Sequence, residues 1–226
     1  MTALRKLLIA TSLTALLSAC SSTPPPPDWQ MNAKDSMERA TVAYLQGNSR
    51  IEALEFARAR AEVARTARVD LLARTELMRC AARVASLVFE DCPGFAALAQ
   101  DAGAADRAYA DYLAGQAQPQ DAALLPAQHR DVAAGKSSAE AVDAITDPLA
   151  RLVAAGVLLR SGRAEPAVFA VATDTASAQA WSRPLLAWLN VRAQRADAAG
   201  EGAEAARLRR RIAVVLEGAP SKQTLP

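Results

Sequence analysis

The sequence predicts an all-α protein, an irregular array of antiparallel helical hairpins that follows a cleaved signal peptide and a disordered Pro-rich tether. Alanine, the best helix former, supplies 55 of the 226 residues. Aromatic residues make up only 4% of the chain and runs of β-branched residues are scarce, which disfavours strands. From residue 33 onward, apolar residues recur at helical spacing between short segments of Gly, Pro and Ser. Together these observations predict helices joined by short turns.

The N-terminus has the organisation of a bacterial secretion signal. Arg5 and Lys6 precede an apolar run over residues 7–17, which is too short to span a bilayer of about 30 Å as a permanent helix. The run closes with a Leu-Ser-Ala-Cys sequence that ends at Cys20 and resembles the lipobox of bacterial lipoproteins. The resemblance implies that residues 1–19 are removed and that Cys20 carries fatty acids such as palmitate, which anchor the protein in a lipid bilayer. An ordinary secretory peptide with a chance cysteine is the alternative.

The residues after Cys20 predict where the body of the protein is held. Ser21 stands where many inner-membrane lipoproteins carry Asp, so the resemblance implies an outer-membrane protein that faces the periplasm. Four consecutive prolines follow, and proline lacks the amide donor that helices and sheets require. Residues 20–32 are therefore predicted to form a linker that holds a helical periplasmic domain, residues 33–218, away from the membrane. Residues 219–226 are predicted to be a frayed tail.

Start and stop signals divide the periplasmic domain into helices. Ser49 with Glu52, and Ser137 with Glu140, have the spacing of capping boxes, and Asp147 before a proline is typical of an N-cap. Both ends are predicted for the helices 49–67, 69–89, 95–99, 126–135, 148–161, 165–173, 183–199 and 202–217. Two further helices are predicted to end at Gly47 and at Gly115, and another to begin at Ser137.

Two cysteines remain once Cys20 is committed to lipid. An even pair in an oxidising compartment favours a disulfide between Cys80 and Cys92. One continuous helix would hold their Cα atoms about 18 Å apart, whereas a disulfide needs less than about 7 Å. The helix must therefore stop near Val88, and the chain must turn back before Cys92. The alternative is that Cys80 is a small core residue on the apolar face of its helix.

The positions of glycine indicate helical repeats. Tyr-Leu-Gln-Gly at 44–47 recurs as Tyr-Leu-Ala-Gly at 112–115. Gly162 is followed five residues later by Ala167, and Gly200 by Ala205, where a larger side chain would force paired helices apart. This interval resembles the turn of the tetratricopeptide repeat (TPR) hairpin over about the last 80 residues, and loosely over 35–67. The early Trp and the closing Pro of that family are missing.

The sequence indicates no catalytic residue, no metal site, no cofactor and no nucleic-acid partner. No nucleophile elbow, zinc-protease motif or glycine-rich phosphate loop is present, and His129 is the only histidine. Removal of residues 1–19 takes Arg5 and Lys6 but no acid, so the formal charge falls from +2 to zero. His129, Glu90 with Asp91, and the arginines within 207–211 are predicted to be solvated side chains on helix faces or ends.

Trp181 and Trp188 form the predicted partner surface. They lie seven residues apart, so a helix through both puts them on one face, and tryptophan often anchors protein interfaces. The alternative is that both pack in the core, which is the commoner fate of such a pair. The sequence therefore predicts a non-enzymatic lipoprotein that presents helical hairpins to an envelope protein, as TPR-bearing lipoproteins of the β-barrel assembly machine do. The alternative is a peptidoglycan-cleaving enzyme related to lytic transglycosylases, which use one catalytic Glu. The motif of that family is not found near Glu90, Glu140 or Glu165.

Overall fold

A computed structural model describes residues 25–218, and over this range the all-α prediction is confirmed. The predicted signal peptide, Cys20 and the tail 219–226 lie outside the described residues. The helices are α1 (Asp28–Leu45), α2 (Ser49–Ala64), α3 (Val69–Ala85), α4 (Pro93–Ala96), α5 (Ala104–Leu113), α6 (Arg130–Ala133), α7 (Ala139–Asp143), α8 (Pro148–Arg160), α9 (Pro166–Ala178), α10 (Ser182–Ala198) and α11 (Gly202–Gly218). Three 3₁₀ helices, Ala99–Asp101, Pro119–Leu124 and Ala127–His129, lie among α4 to α6. No helix in this range is both long enough and apolar enough to cross a membrane.

The first helix begins five residues before the predicted boundary, so the linker ends at Pro27 rather than at residue 32. Pro27 is extended, with φ −57° and ψ 148°, and accepts the first backbone hydrogen bonds of the helix. Asp28 places a carboxylate in the first turn, where the partial positive charge of the helix end favours it. The sequence reasoning missed this start because it treated everything beside the prolines as linker.

Glycine follows five of the helices or helical turns, at the positions that the sequence predicts. Gly47, Gly115, Gly135, Gly162 and Gly200 all have positive φ. At the first of these turns, the amide of Asn48 donates to the carbonyl of Ala43 at 2.8 Å and the amide of Gly47 donates to that of Tyr44 at 3.0 Å. This pair of bonds satisfies carbonyl groups that the helix leaves without partners. Ala180 adopts the same left-handed conformation after α9, with φ 52°, although it carries a side chain.

The N-caps are partly as predicted. The Asp147 carboxylate accepts from the Ala150 amide at 2.6 Å, which confirms that cap. The cap of α2 is Asn48 rather than Ser49, because Asn48 is the last non-helical residue and its side chain reaches the Ile51 amide. The cap of α7 is likewise Ser138 rather than Ser137. Both predictions were wrong by one residue because neighbouring polar residues offer equivalent cap chemistry.

Several predicted helices have different bounds in the structure, and three of them differ most. α3 ends at Ala85 instead of residue 89, since Leu87 takes a left-handed conformation with φ 60°. The segment 126–135 contains a short 3₁₀ turn and the single-turn helix α6 instead of one helix. α9 continues to Ala178, beyond the predicted end at 173, because Thr173 bonds the Phe169 carbonyl with its hydroxyl and stays buried within the helix.

The helices pack around one main core and two small clusters, one of which, Tyr44 with Leu45 and Ala82, joins the end of α1 to α3. α1 and α2 form a hairpin with a small core of its own, built from Met37, Ala40, Phe56 and Ala59. The main core begins at α3, which packs against α5 and α8, and it continues through α9 and α10 to α11. The end of α1 also contacts the start of α10, because the Arg183 guanidinium donates to the Tyr44 carbonyl at 2.7 Å.

Buried carboxylates join the first hairpin to the rest of the fold. Glu52 on α2 contacts Arg79 on α3 at 2.8 Å, and Glu76 on α3 contacts Arg60 on α2 at 3.2 Å. Both carboxylates are less than a tenth exposed. Losing one arginine would leave a buried charge without its partner, so these pairs fix how α2 sits on α3.

Candidate functional site

The two tryptophans do not form an exposed surface, so that prediction was wrong. Trp188 is fully buried, and its indole Nε1–H donates to the Ala85 carbonyl on α3 at 3.2 Å. Its ring also meets Phe169 edge to face. Trp181 is not inside the helix at all: it is the extended residue before α10, half-buried against the core. The face of α10 that carries Trp188 is therefore the face packed on α3 and α9.

The structure joins Cys80 to Cys92 in a disulfide, with the two Cα atoms 5.8 Å apart. α3 ends at Ala85, and the left-handed conformation of Leu87 turns the chain back toward α3. Cys92 itself has φ 42° and leads directly into α4. Cys80 is also a buried residue of the main core. It is therefore both a disulfide partner and a core residue, the two roles that the sequence left open.

His129 is buried, and the prediction of a solvated side chain was wrong. Its Nδ1 lies 3.2 Å from the Tyr112 hydroxyl, and its ring stacks at a tilt against Tyr109 and Tyr112. Burial lowers the pKa of His129 from 6.5 to about 4, although the nearby Asp147 carboxylate acts in the opposite direction. Burial also raises the pKa of both tyrosines. The cluster is therefore a neutral, packed junction between α5 and the 3₁₀ segments.

The carboxylates considered for hydrolysis are exposed on the surface. Glu90 and Asp91 lie 3.6 and 3.7 Å from Arg83 and Arg160, in agreement with the prediction of solvated charge. Glu140 and Glu165 are also exposed, near the starts of α7 and α9. Within residues 25–218, no three His, Cys, Asp or Glu side chains are grouped so that they could hold a metal ion.

The concave surface that the structure offers runs along α10, between α9 and α11. A pocket of about 550 Å³ lies against the C-terminal half of α10, and a second of about 390 Å³ lies against its N-terminal half. We name the two together the α10 groove. Its floor is one face of α10, formed by Leu185, Leu189, Arg192, Ala196 and Ala199. At 1.5 Å per residue, this face is about 21 Å long.

The walls of the α10 groove come from the two helices that flank its floor. The start of α9 contributes Pro166, Phe169 and Ala170, and its end contributes Ser177. The opposite wall is α11, where Leu208 and Val215 continue the apolar floor and Val214 is 67% exposed. One end of the groove thus includes four alanines, and the apolar residues of the other end are leucines and valines.

The α10 groove carries more positive than negative charge. Its lining includes the guanidinium groups of Arg192, Arg195, Arg207, Arg210 and Arg211, against the carboxylates of Glu201 and Glu204. Glu204 is already engaged, at 2.7 Å from Arg207 and 3.6 Å from Arg192. These arginines hold the pKa of Glu204 below its ordinary value, the hydrogen bond from Arg207 acting most strongly. Three cations therefore remain for one carboxylate.

The remaining cations face the open groove. Arg195 lies over the ring of Phe169, with its guanidinium carbon 4.5 Å from the ring centre. Arg195, Arg210 and Arg211 have no carboxylate within 4.0 Å among the residues that the structure describes. Arg209, by contrast, points away from the groove and pairs with Asp197. The sequence predicted a solvated face for Arg209, Arg210 and Arg211 and made no prediction for Arg195. It did not reveal the groove, because nothing local shows which helices flank α10.

The chain matches no protein-family model, no curated protein and no solved structure.

Proposed function

We propose that this chain is a lipid-anchored lipoprotein of the outer membrane whose helical body binds another envelope protein, and that the α10 groove receives that partner. The α10 groove carries this proposal, because it is long, open and lined by both apolar side chains and unpaired cations. Protein interfaces typically combine an apolar centre with a polar or charged rim. The groove replaces the two tryptophans as the partner surface.

We interpret the body as TPR-like in its terminal hairpins only. α1 with α2, and α10 with α11, are helix pairs joined by three-residue turns through glycine. Ala205 is fully buried where α11 meets α10, which supports the resemblance to the TPR turn. Ala167 is exposed, so the same register does not hold for α9. α3 also packs directly on α8 across the intervening short helices, which departs from a linear array.

The lipid anchor is tested through Cys20. Radioactive palmitate supplied to growing cells should label the wild-type chain and leave the Cys20→Ala variant unlabelled. The reason is that the variant lacks the thiol that takes the diacylglyceryl group. Fractionation should recover the labelled protein with the outer membrane. An unlabelled wild-type protein, or one recovered whole from the cytosol, would contradict this half of the proposal.

The partner surface is tested by site-specific cross-linking in cells. A photoreactive amino acid at Ala199, which is exposed and lines the groove, should capture a reproducible protein partner. The matched control has the same photoreactive amino acid at Ala61, an exposed position on α2 outside the groove lining, and should not capture that partner. Identical products from both positions, or none from Ala199, would contradict the proposal. Clearing of purified cell wall in a zymogram would favour the peptidoglycan-cleaving alternative instead.

A further inference from the structure

We infer that the partner segment bound in the α10 groove is an acidic amphipathic α-helix, an inference that rests on the proposed function. Its apolar face would lie on Val214, Val215 and the accessible edge of Leu185, and its carboxylates would meet the arginines that have no partner in the groove. Four properties of the groove support this choice of ligand: its size, the chemistry of its lining, its apolar floor and its charge.

The size of the groove suits a helix that is half embedded. A helix about 10 Å across and about 21 Å long, close to four turns, occupies about 1,600 Å³. The two pockets, of about 550 and 390 Å³, lie one after the other along the same length of α10, so the groove is long enough for such a helix. A helix in this position would be covered on one side by α9, α10 and α11 and would expose its other side to solvent.

The lining favours a helix over an extended peptide. An extended segment leaves its backbone N–H and C=O groups needing partners, which usually come from a strand edge or from polar side chains. The described lining of both pockets contains no strand, and although its arginines can donate to carbonyl groups, its side-chain acceptors for N–H groups are only Ser177, Glu201 and the already paired Glu204. A helix satisfies its own backbone, so it needs from the groove only apolar contact and charge.

The apolar floor provides the contact. Leu185 and Leu189 are buried beneath the N-terminal half of the groove, while Val214 on the wall is two-thirds exposed. An apolar ridge with i, i+4, i+7 spacing would cover this face along the length of α10. Near the other end, Ala196 and Ala199 on the floor and Ala170 on the wall allow close approach.

The positive charge of the groove indicates that its ligand is negatively charged. Arg195, Arg210 and Arg211 lie along the groove with no carboxylate within 4.0 Å among residues 25–218, whereas Glu204 is held by its own arginines. Guanidinium groups bind carboxylates through paired hydrogen bonds, and complementary charge across an interface selects the correct partner. A basic helix would meet three like charges in the same place. The structure therefore favours Glu- or Asp-rich flanks beside the apolar ridge.

The probe for this inference is a synthetic 15-residue peptide with Leu at i, i+4, i+7 and i+11 and Glu at the flanking positions. Its binding to the full-length chain in neutral detergent micelles is measured by fluorescence anisotropy. We expect it to bind at least tenfold more tightly than a version with Lys in place of Glu. It should also bind at least tenfold more tightly than a peptide of the same composition in which the helical spacing of Leu is lost. Raising the salt concentration from 50 to 500 mM should weaken binding several-fold.

Matched variants on α11 locate the binding. Arg210→Glu combined with Arg211→Glu should weaken binding of the acidic peptide at least tenfold, whereas Arg209→Glu on the far side of α11 should change it less than twofold. Val214→Asp should weaken it at least fivefold, whereas Leu216→Asp, on an equally exposed side chain outside the groove lining, should not. Circular dichroism of each variant checks that the helices remain. All five positions are exposed or half-exposed, and none of them belongs to the buried core.

The outcomes separate this inference from the proposed function. If the Lys peptide binds as well as the Glu peptide, or if charge reversal at Arg210 and Arg211 has no effect, the acidic-helix inference is overturned. A reproducible cross-link from Ala199 in that case leaves the proposed function standing. Peptide binding that depends on these arginines without any cross-link in cells would overturn the proposed function alone. If the Cys20→Ala chain binds vesicles of phosphatidylglycerol through the same arginines and does not bind the peptide, the ligand is a lipid surface and the inference fails.

Discussion

Replacing Gly156 with alanine should destabilise the protein, although alanine is the better helix former. Gly156 lies in the middle of α8, where the helix crosses α3. A Cβ atom added there would lie 2.4 Å from the Val84 carbonyl oxygen and 3.0 Å from a methyl carbon of the same residue. Contacts between such atoms normally lie at about 3.5–4.0 Å. The two helices would therefore have to separate by about 1 Å.

The magnitude follows from two opposing contributions to the free energy of unfolding. Glycine in a helix interior costs about 1 kcal/mol relative to alanine, so helix propensity alone predicts a more stable variant. Forcing an extra carbon into a packed core costs about 1–3 kcal/mol. The higher end applies here because the atom that is struck belongs to the backbone of α3 and cannot rotate away. Separation of α3 from α8 also strains the contact between Trp188 and the Ala85 carbonyl, one residue further along α3. The net expectation is a loss of about 2 kcal/mol.

The assay is thermal unfolding of the full chain, followed by circular dichroism at 222 nm. For a chain of this size, a loss of about 2 kcal/mol lowers Tm by about 4–8 °C. Gly202→Ala is the matched control, because nothing lies within 4 Å of an added Cβ atom at the start of α11. The control should be neutral or slightly more stable. A Gly156→Ala protein with a Tm equal to or above that of the wild type would refute the tight α3–α8 crossing.

Three further predictions concern single side chains. Reduction of the disulfide, or Cys92→Ala, should lower the free energy of unfolding by about 3 kcal/mol in urea titrations, because the cross-link between Cys80 and Cys92, 12 residues apart, restricts the unfolded chain; reduced and oxidised proteins with equal midpoints would contradict this. The unfolded chain takes up a proton on His129 near pH 6.5 and the folded chain only near pH 4, so stability should fall by about 3 kcal/mol as the pH drops between these values. His129→Gln should remove that slope, and a variant that keeps it would show that another group is responsible. Ala180→Gly should stabilise the protein by about 0.5–1 kcal/mol, since an L-residue is strained at φ 52°. Gly200→Ala should destabilise it by a similar amount. Equal Tm values for Ala180→Gly and the wild type would argue against strain at this turn.

The candidate site depended on tertiary packing in a way that no local pattern reveals. The sequence pointed to Trp188 as an exposed anchor, yet the helix turns that residue toward the Ala85 carbonyl and buries it. It also assigned the α11 arginines to solvent, which is true for Arg209 but incomplete for Arg210 and Arg211. Helical periodicity states which residues share a face, but it does not state which neighbouring helix that face meets.

The sequence by itself determined the helical class and most of the points where helices begin and end. Glycine at positions such as 47 and 200 permits positive φ, and Asp147 caps α8 with its own carboxylate, so these features arise within a few residues of chain. Tertiary structure alone decided that His129 is buried, that α3 lies on α8 at Gly156 and that α9 and α11 flank α10. These outcomes join residues far apart in the chain. They arise from the burial of apolar surface, a driving force that has no direction of its own and takes its geometry from the shapes that meet.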